Sequence, residues 1–202
     1  MIIRNSTLKI ICILFLLSGI SALTYQIIWQ RVLFSTFGVD IDSVTIIVST
    51  FMLGLGLGAL LGGYLSDKYP TSVIFIFMIF EALIGLFGFF SYLIIINVSD
   101  LFILSNMFVV TLANFFIFLI PTILMGATLP LLVTYFYKYS KNIGISIGRL
   151  YSFNTLGASI GAFFTTFIAL IYFDILQTLQ LAALNNFVIV LITYFIFKKS
   201  NK

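Results

Sequence analysis

The sequence has no histidine, a single cysteine and few charged residues, which make up 8% of its 202 positions. The absence of histidine excludes Ser–His triads, Cys–His nucleophile pairs and zinc sites that use histidine. One cysteine excludes an intrachain disulfide, and Cys12 lies among Ile, Leu and Phe, where a small apolar filler is expected. We therefore expect neither a metal site nor a cofactor.

Apolar residues take the place of the missing charge. They make up 62% of the chain, and its mean hydropathy is +1.24. A soluble domain carries about a quarter charged residues, so this composition is typical of a protein that lies in a lipid bilayer. The net charge of +4 does not indicate a nucleic-acid partner, because the basic residues are scattered between apolar runs. The predicted fold class is all-α, a polytopic bundle of transmembrane helices.

Six apolar runs are long enough to cross the bilayer, since a spanning helix needs about 20 residues to cover about 30 Å of hydrocarbon. Short polar segments separate these runs, and we treat 1–202 as a single transmembrane domain. The predicted spans are 8–30, 43–65, 72–96, 104–136, 146–172 and 176–197.

The fourth run is too long for one straight span. At about 1.5 Å per residue, a helix over 104–136 would extend for about 50 Å. We expect Pro121 and Pro130 to bend or interrupt it, and the part before about residue 112 to form a lead-in helix. An alternative with seven spans would split the run at Pro121.

The distribution of charge favours six spans. With six, nearly all basic residues fall on one side of the membrane, and Arg31 lies on the other side with Asp40, Asp42, Asp100 and Asp174. Seven spans would place the last three loops on the wrong side. By the positive-inside rule, both termini are expected to be cytoplasmic. The residues on the basic side are Arg4, Lys9, Lys68, Lys138, Lys141, Arg149, Lys198, Lys199 and Lys202.

A cleaved signal peptide is an alternative for the N-terminal run. Arg4 and Lys9 precede apolar residues, and 18–22 is rich in small side chains. Cleavage there would remove half of a run that stays apolar up to 32–34. An uncleaved first span is therefore favoured.

Glycines recur every four residues in two of the runs. Gly54, Gly58 and Gly62 share one face of the second run, and Gly157 and Gly161 share a face of the fifth. Small residues at this spacing let helix backbones come into van der Waals contact, which stabilises helix association in a membrane. We predict that these glycines pack helices, whether the bundle is rigid or moves.

Polar side chains inside the runs are candidates for a substrate or translocation site. A carboxylate at the depth of Glu81 costs about 2.5–3.5 kcal/mol, so it must face the bundle interior and find a partner or a proton. Glu81 is either a cation or proton site or a protonated acid bonded to a neighbouring helix. Asn114 and Asn154 carry a smaller cost, and interhelical hydrogen bonds are their simplest role.

The first run carries further polar residues toward its far end. Tyr25 and Trp29 are four residues apart and share a helix face, with Gln26 on the adjacent stripe. We expect Trp29 and Arg31 to anchor the outer membrane interface, where tryptophan and snorkelling arginine are common. Tyr25 and Gln26 lie about one turn deeper and are expected to face the bundle interior.

Four motifs resemble the membrane domain of the fused spermidine-synthase-like proteins of bacteria. The resemblance covers about residues 15 to 170 and implies a major-facilitator-like helical domain in the cell (inner) membrane. In that family an aminopropyltransferase-type domain follows in the cytosol. The motifs are GISALTYQIIWQRVLFSTFG (19–38), FMLGLGLGALLGGYLSDK (51–68), PTILMGATLPLLV (121–133) and GRLYSFNTLGASIGAF (148–163).

The end of the second motif is also similar to the loop between spans two and three in the major facilitator superfamily. Gly63, Asp67 and Lys68 match that loop, while its trailing glycine and basic residues are replaced here. With Arg149, these residues are implied to form a cytoplasmic gating loop. A six-span unit of this kind corresponds to one half of a transporter, built from 3+3 inverted repeats.

The chain lacks the glycine-rich loop that an aminopropyltransferase needs for the nucleoside end of its substrate. Its only Gly–Gly pair, Gly62–Gly63, lies at the end of a span. We therefore expect no enzymatic activity. Two functions remain open: a half-transporter-like subunit for a small, polyamine-like solute, and a membrane anchor for a separate aminopropyltransferase-like enzyme.

These two functions imply different partners. The half-transporter would form a homodimer or pair with a second membrane chain, and the anchor would bind a soluble aminopropyltransferase-like enzyme. A truncated remnant without activity is a third possibility.

Overall fold

The computed structural model describes residues 2–37, 40–101 and 107–200, and these are almost entirely helical. A π-helical turn, Thr165–Ala169, joins α5 to the short α6, so that α5, this turn and α6 form one continuous rod. The α-helices are α1 (Ile2–Phe37), α2 (Asp40–Lys68), α3 (Val73–Leu101), α4 (Met107–Ser140), α5 (Ile143–Phe164), α6 (Leu170–Tyr172) and α7 (Ile175–Ser200).

Six segments in the described part are long and apolar enough to cross a bilayer, which agrees with the six predicted spans. Predicted boundaries differ from the observed ones by a few residues. Residues 104–106 of the fourth prediction lie outside the described residues. The segments are Thr7–Ser35, Val44–Lys68, Val73–Val98, Leu112–Ser140, Ile143–Tyr172 and Ile175–Lys198.

The long fourth helix continues through both prolines, so the predicted interruption is wrong, while a bend stays a prediction. The alternative of a seventh span, which charge had disfavoured, is not observed in the described residues. Pro121 and Pro130 both lie inside α4. A proline removes the amide donor to the carbonyl four residues before it, which is that of Ile117 for Pro121 and that of Gly126 for Pro130. Hydroxyls near the prolines bond neighbouring carbonyls: that of Thr122 lies 2.9 Å from the carbonyl of Phe118, and that of Thr128 lies 2.6 Å from the carbonyl of Met125.

Side-chain caps define the turns at both ends of the bundle. Asn142 accepts a hydrogen bond from the amide of Ile145 at 3.0 Å, which starts α5. Asp174 accepts one from the amide of Gln177 at 2.6 Å, and the Gln177 side chain accepts one from the amide of Asp174 at 3.1 Å. This reciprocal pair is a capping box that begins α7.

Basic residues lie at one end of the bundle. Lys138 near the end of α4 donates to the carbonyl of Pro70 in the α2–α3 turn, and Lys198 near the end of α7 lines the same cavity as Lys138. Lys9 and Arg149 share a second cavity between α1 and α5. The predicted grouping of these four charges at one end is therefore observed.

The pattern of the main helix–helix contacts stays the same when the first three long helices are exchanged with the last three. The most extensive contacts join α2 to α4 and α1 to α5, and α3 packs along α7. Exchanging α1 with α4, α2 with α5 and α3 with α7 converts the first pair into the second and leaves the third unchanged. The same exchange relates the α3–α4 contact to the α1–α7 contact.

Glycines form the contact lines of the two major pairs. A β-carbon on Gly58 would lie 2.1 Å from the carbonyl oxygen of Ile123 on α4, and one on Gly157 would lie 1.9 Å from that of Leu16 on α1. Gly54 and Gly62 lie against Thr122 and Ala127 of α4, and Gly161 lies against Ile20 of α1. Two glycines outside the predicted stripes complete these lines, Gly126 against Leu55 and Gly19 against the carbonyl of Asn154.

The outer surface of the bundle is apolar. Leu60, Phe75, Phe116, Phe163 and Phe195 are among its most exposed side chains. Apolar residues on a surface of this extent are stable against lipid and unfavourable in water.

We expect Gly58→Ala to destabilise the bundle, because the added methyl group would overlap the backbone of α4. Overpacking of this kind costs about 1–3 kcal/mol. Gly56 is the matched control, since a β-carbon there meets nothing within 4 Å and alanine favours the helix. Thermal unfolding in detergent micelles should show a lower midpoint for Gly58→Ala alone. Equal midpoints for the two variants would contradict the packing role.

Candidate functional site

The Glu81 side chain is enclosed in the middle of the bundle and is 0% exposed. It projects from α3 toward α1 and α7. Its Oε1 accepts a hydrogen bond from the Ser18 hydroxyl at 2.6 Å, and its Oε2 accepts one from the Asn186 amide nitrogen at 2.6 Å. Both partners are uncharged, so the carboxyl is held by hydrogen bonds alone.

Asn186 links the carboxyl to Tyr25 of α1. The tyrosine hydroxyl donates to the amide oxygen of Asn186 at 2.9 Å, and the amide nitrogen donates onward to Glu81. The three side chains form a chain of donors that points toward the carboxyl. Such chains polarise one another in a medium of low dielectric constant.

Two glycines of α3 make room for this chain. A β-carbon on Gly88 would lie 2.3 Å from the ring and hydroxyl of Tyr25, and one on Gly85 would lie 3.1 Å from the β-carbon of Asn186. Larger residues at either position would push α1 or α7 away from α3.

A second set of hydrogen bonds lies beside the first and joins the same two helices, α1 and α7. Asn185 donates to the carbonyl of Leu17 at 2.8 Å and to the hydroxyl of Ser21 at 2.7 Å. Ser21 in turn donates to the carbonyl of Ala182 at 3.0 Å. These bonds fix the position of α7 against α1 and therefore the distance from Asn186 to Glu81.

Trp29 lies inside the bundle, which corrects the expected position at the lipid interface. Its ring is 0% exposed and stacks between Tyr25, at 5.2 Å, and Phe118, at 4.9 Å. Its ring nitrogen donates to the hydroxyl of Ser91 at 2.9 Å. Composition suggested a belt residue, but the stripe that Trp29 shares with Tyr25 faces α3 and α4, where an aromatic partner and a hydrogen-bond acceptor are present.

The other candidates of the first helix differ in burial. Tyr25 is fully buried, as expected for an interior residue, and Gln26 beside it is half-buried. Arg31 is exposed and lines a small cavity together with Gln30 and Thr166. Its predicted role as an interface anchor stays a prediction.

The candidate asparagines Asn114 and Asn154 are not the hydrogen-bond partners of the Glu81 carboxyl, which are Ser18 and Asn186. Asn114 is fully buried on α4. Asn154 is half-buried on α5, where its backbone and side-chain oxygens lie close to Gly19. A role for either in translocation remains a prediction.

The residues implied to form a gating loop lie at the basic end of the bundle. Lys68 contacts the hydroxyl of Tyr64 at 3.2 Å and lies 5.4 Å from the ring of Tyr69. Gly63 faces open space, and the exposed Asp67 forms no ion pair with another residue of the described ranges. Arg149 lines a separate cavity with Lys9 and Cys12.

The Glu81 network can hold the carboxyl in either protonation state. A serine hydroxyl can donate to a carboxylate or accept from a carboxylic acid, because its hydrogen rotates. Asn186 donates to the other oxygen in both cases. When a proton binds at the Ser18 side, the Ser18 hydroxyl can accept from the carboxylic acid, and its own hydrogen then has to rotate to another acceptor.

Sequence analysis missed Ser18, Asn186 and Ser91, which are the direct partners of the candidate residues. One signal was available for Asn186: it follows Asn185, and two adjacent amides within an apolar span are costly unless both are bonded. Serine is common in transmembrane helices, and Ser18 and Ser91 had no such signal.

Asn186→Ala should destabilise the protein by several kcal/mol, because it leaves the Tyr25 hydroxyl without its acceptor and Glu81 with one donor. Each buried polar group that loses its partner costs about 1–3 kcal/mol. Asn154→Ala removes the same atoms from a half-buried side chain that donates to no described residue, and it should have a small effect. The comparison is made by thermal unfolding in detergent, and equal shifts for the two variants would refute the network.

Comparison with known proteins gives one similarity in sequence. No model of a known protein family matches the chain, and no solved structure matches it. The chain is 27% identical over 169 residues to a polyamine aminopropyltransferase of Oceanobacillus iheyensis. The match covers 80% of this chain and 30% of that relative. The name of that relative agrees with the resemblance to spermidine-synthase-like proteins.

Proposed function

We propose that this chain is a multi-pass membrane protein that forms one half of a proton-coupled, transport-like bundle for a small solute. Glu81 is the proton-binding residue in this proposal. The observation that carries it is the enclosure of the Glu81 carboxyl by the uncharged donors Ser18 and Asn186. Six apolar helices with an apolar outer surface support the location in a membrane.

The cost of the carboxyl supports a functional role. An acidic residue inside a transmembrane helix costs about 2.5–3.5 kcal/mol, and such residues are commonly proton or ion sites. A purely structural contact between α1, α3 and α7 needs no acid, since serine and asparagine alone bond helices together. Glu81 adds a group that can gain or lose a proton.

The arrangement of the helices supports a transporter half. The exchange of α1–α3 with α4–α7 that relates the packing pairs is what inverted repeats of three spans would produce. In transporters built this way, two six-span halves move against each other. A second copy of this chain, or another membrane chain, is the partner that this proposal requires.

The burial of Glu81 makes the proton, and not a polyamine, its ligand in this conformation. A carboxyl that is 0% exposed and bonded on both oxygens leaves no space for a polyamine. Three cavities in the described part of the chain are lined by basic side chains: Arg31 in one, Lys138 and Lys198 in the second, and Lys9 and Arg149 in the third. A polyamine would be repelled at each of them, so a cationic solute would need a conformation in which Glu81 is open.

Glu81→Gln should abolish proton coupling, because glutamine keeps the size and hydrogen bonds of the side chain but cannot release a proton. We expect pH-gradient-driven uptake of labelled spermidine into reconstituted vesicles to fall at least tenfold. Asp100→Asn is the matched control, since it removes an exposed acid from the same helix. Uptake by Glu81→Gln equal to that of the unsubstituted protein would remove Glu81 from the mechanism.

Infrared difference spectra between acidic and alkaline buffer provide a readout that needs no solute. The carboxylic C=O band that appears on acidification should lose one component in Glu81→Gln and keep it in Asp100→Asn. Identical spectra for Glu81→Gln and the unsubstituted protein would mean that Glu81 does not titrate.

A membrane anchor for an aminopropyltransferase-like enzyme is the second candidate function. It is favoured by the similarity to a polyamine aminopropyltransferase, because the matched region makes up 30% of that relative. The exposed basic residues at one end of the bundle offer a surface for an acidic partner. In this reading Glu81 is a structural hydrogen-bond acceptor.

Affinity purification in mild detergent should separate the two functions. Half-transporter function predicts a complex whose mass equals two six-span chains. Co-elution of a soluble enzyme at equal stoichiometry would instead support the anchor and contradict the transporter proposal. Mass spectrometry of the eluted complex supplies both readouts.

A further inference from the structure

A cavity of about 560 Å³ lies at the basic end of the bundle, between the first turns of α3, the end of α4 and the end of α7. Its lining combines polar side chains, among them Lys138, Lys198 and Tyr139, with apolar side chains of α3, among them Ile74 and Met78. The residues that line it include two lysines and no acid. This cavity is separate from the enclosed Glu81 network.

Lys138, Lys198 and Tyr139 have N–H or O–H groups that form no hydrogen bond with the described residues. Lys138 donates one N–H to the carbonyl of Pro70, and its other two N–H groups form no hydrogen bond with the described residues. Lys198 lies 5.2 Å from the centre of the Tyr194 ring, a cation–π contact that uses none of its N–H groups. Tyr139 accepts from Tyr135 at 3.2 Å, so its own hydroxyl hydrogen is free to donate.

These donors suit an anion with several oxygen atoms. Two ammonium groups and one hydroxyl match the acceptors of a phosphate, and neither lysine forms an ion pair with another described residue. Charge complementarity therefore selects a phosphate and excludes a cationic ligand.

The apolar side chains Ile74 and Met78 in the cavity lining indicate that the phosphate belongs to a lipid. Ile74 and Met78 are one turn apart in the first turns of α3, which begins at Val73. Phe75 beside them is 62% exposed on the outer surface of the bundle. An anion that enters from the bilayer would place its headgroup among the lysines and its acyl chains along these residues.

We propose that this cavity is a binding site for the headgroup of an anionic phospholipid, with Lys138 and Lys198 as its phosphate ligands and α3 as the contact for its acyl chain. The lipid bridges the ends of α3, α4 and α7. It thereby stabilises the same three-helix end that the Lys138–Pro70 hydrogen bond closes.

The test uses the full chain in detergent, with phosphatidylglycerol and phosphatidylcholine added in turn and retained lipid counted by native mass spectrometry. The unsubstituted protein should retain phosphatidylglycerol at least tenfold better than phosphatidylcholine. Lys138→Gln combined with Lys198→Gln should abolish this preference. Lys141→Gln, which removes an exposed charge at the same end but outside the cavity, should keep it.

Three results would overturn the proposal. One is equal retention of the two lipids by the unsubstituted protein, and another is an unchanged preference in the double variant. The third is displacement of phosphatidylglycerol by millimolar inorganic phosphate, which would assign the site to free phosphate. Tyr139→Phe, which removes only one hydroxyl, should weaken retention by a smaller factor and guards against a folding defect in the double variant.

Discussion

The close contact of helix backbones along glycine lines is the constraint on which this bundle depends. Apolar side chains gain little by leaving lipid for another apolar surface, so helices in a membrane associate through packing and hydrogen bonds. Gly58 and Gly157 bring α2 to α4 and α1 to α5 at distances that no larger residue permits. With these two pairs fixed, α3 and α7 pack along each other, and α3 also packs against α4 and α7 against α1.

The Glu81 network forms where α3 and α7 meet α1. Helix α3 contributes Glu81, α7 contributes Asn186, and α1 contributes both Ser18 and Tyr25. Two glycines of α3 admit the bulk of Tyr25 and Asn186. The position of the carboxyl is thus set by α3 and α7, which lie outside the principal glycine pairs, together with α1, which belongs to one of them. Movement of α7 relative to α1 would change the surroundings of Glu81 without breaking either pair.

The fold could be predicted further than the site. Length, hydropathy and charge gave six spans and the grouping of basic residues at one end, because these depend on sums over many residues. The continuous helix through Pro121 and Pro130 could not be predicted from length alone, since a proline interrupts some membrane helices and is accommodated in others by the packing around it.

At the site, the cost of burying an acid indicated Glu81, and the depth of Tyr25 in the first span indicated an interior position. The adjacent amides of Asn185 and Asn186 were a signal of bonded side chains, but nothing in the sequence indicated Ser18 or the pairing with Glu81. Partners on different helices follow from the rotation of each helix about its axis. That rotation is set by packing, and the placement of Trp29 was wrong for the same reason.

The inward position of Trp29 has a spectroscopic consequence. It is the chain's only tryptophan, and it stacks on the tyrosine that bonds Asn186. Its fluorescence therefore arises from one place, two side chains away from Glu81 and shielded from both lipid headgroups and water. Any event that rearranges the carboxyl network will alter this emission, so the protein carries its own optical probe of that network.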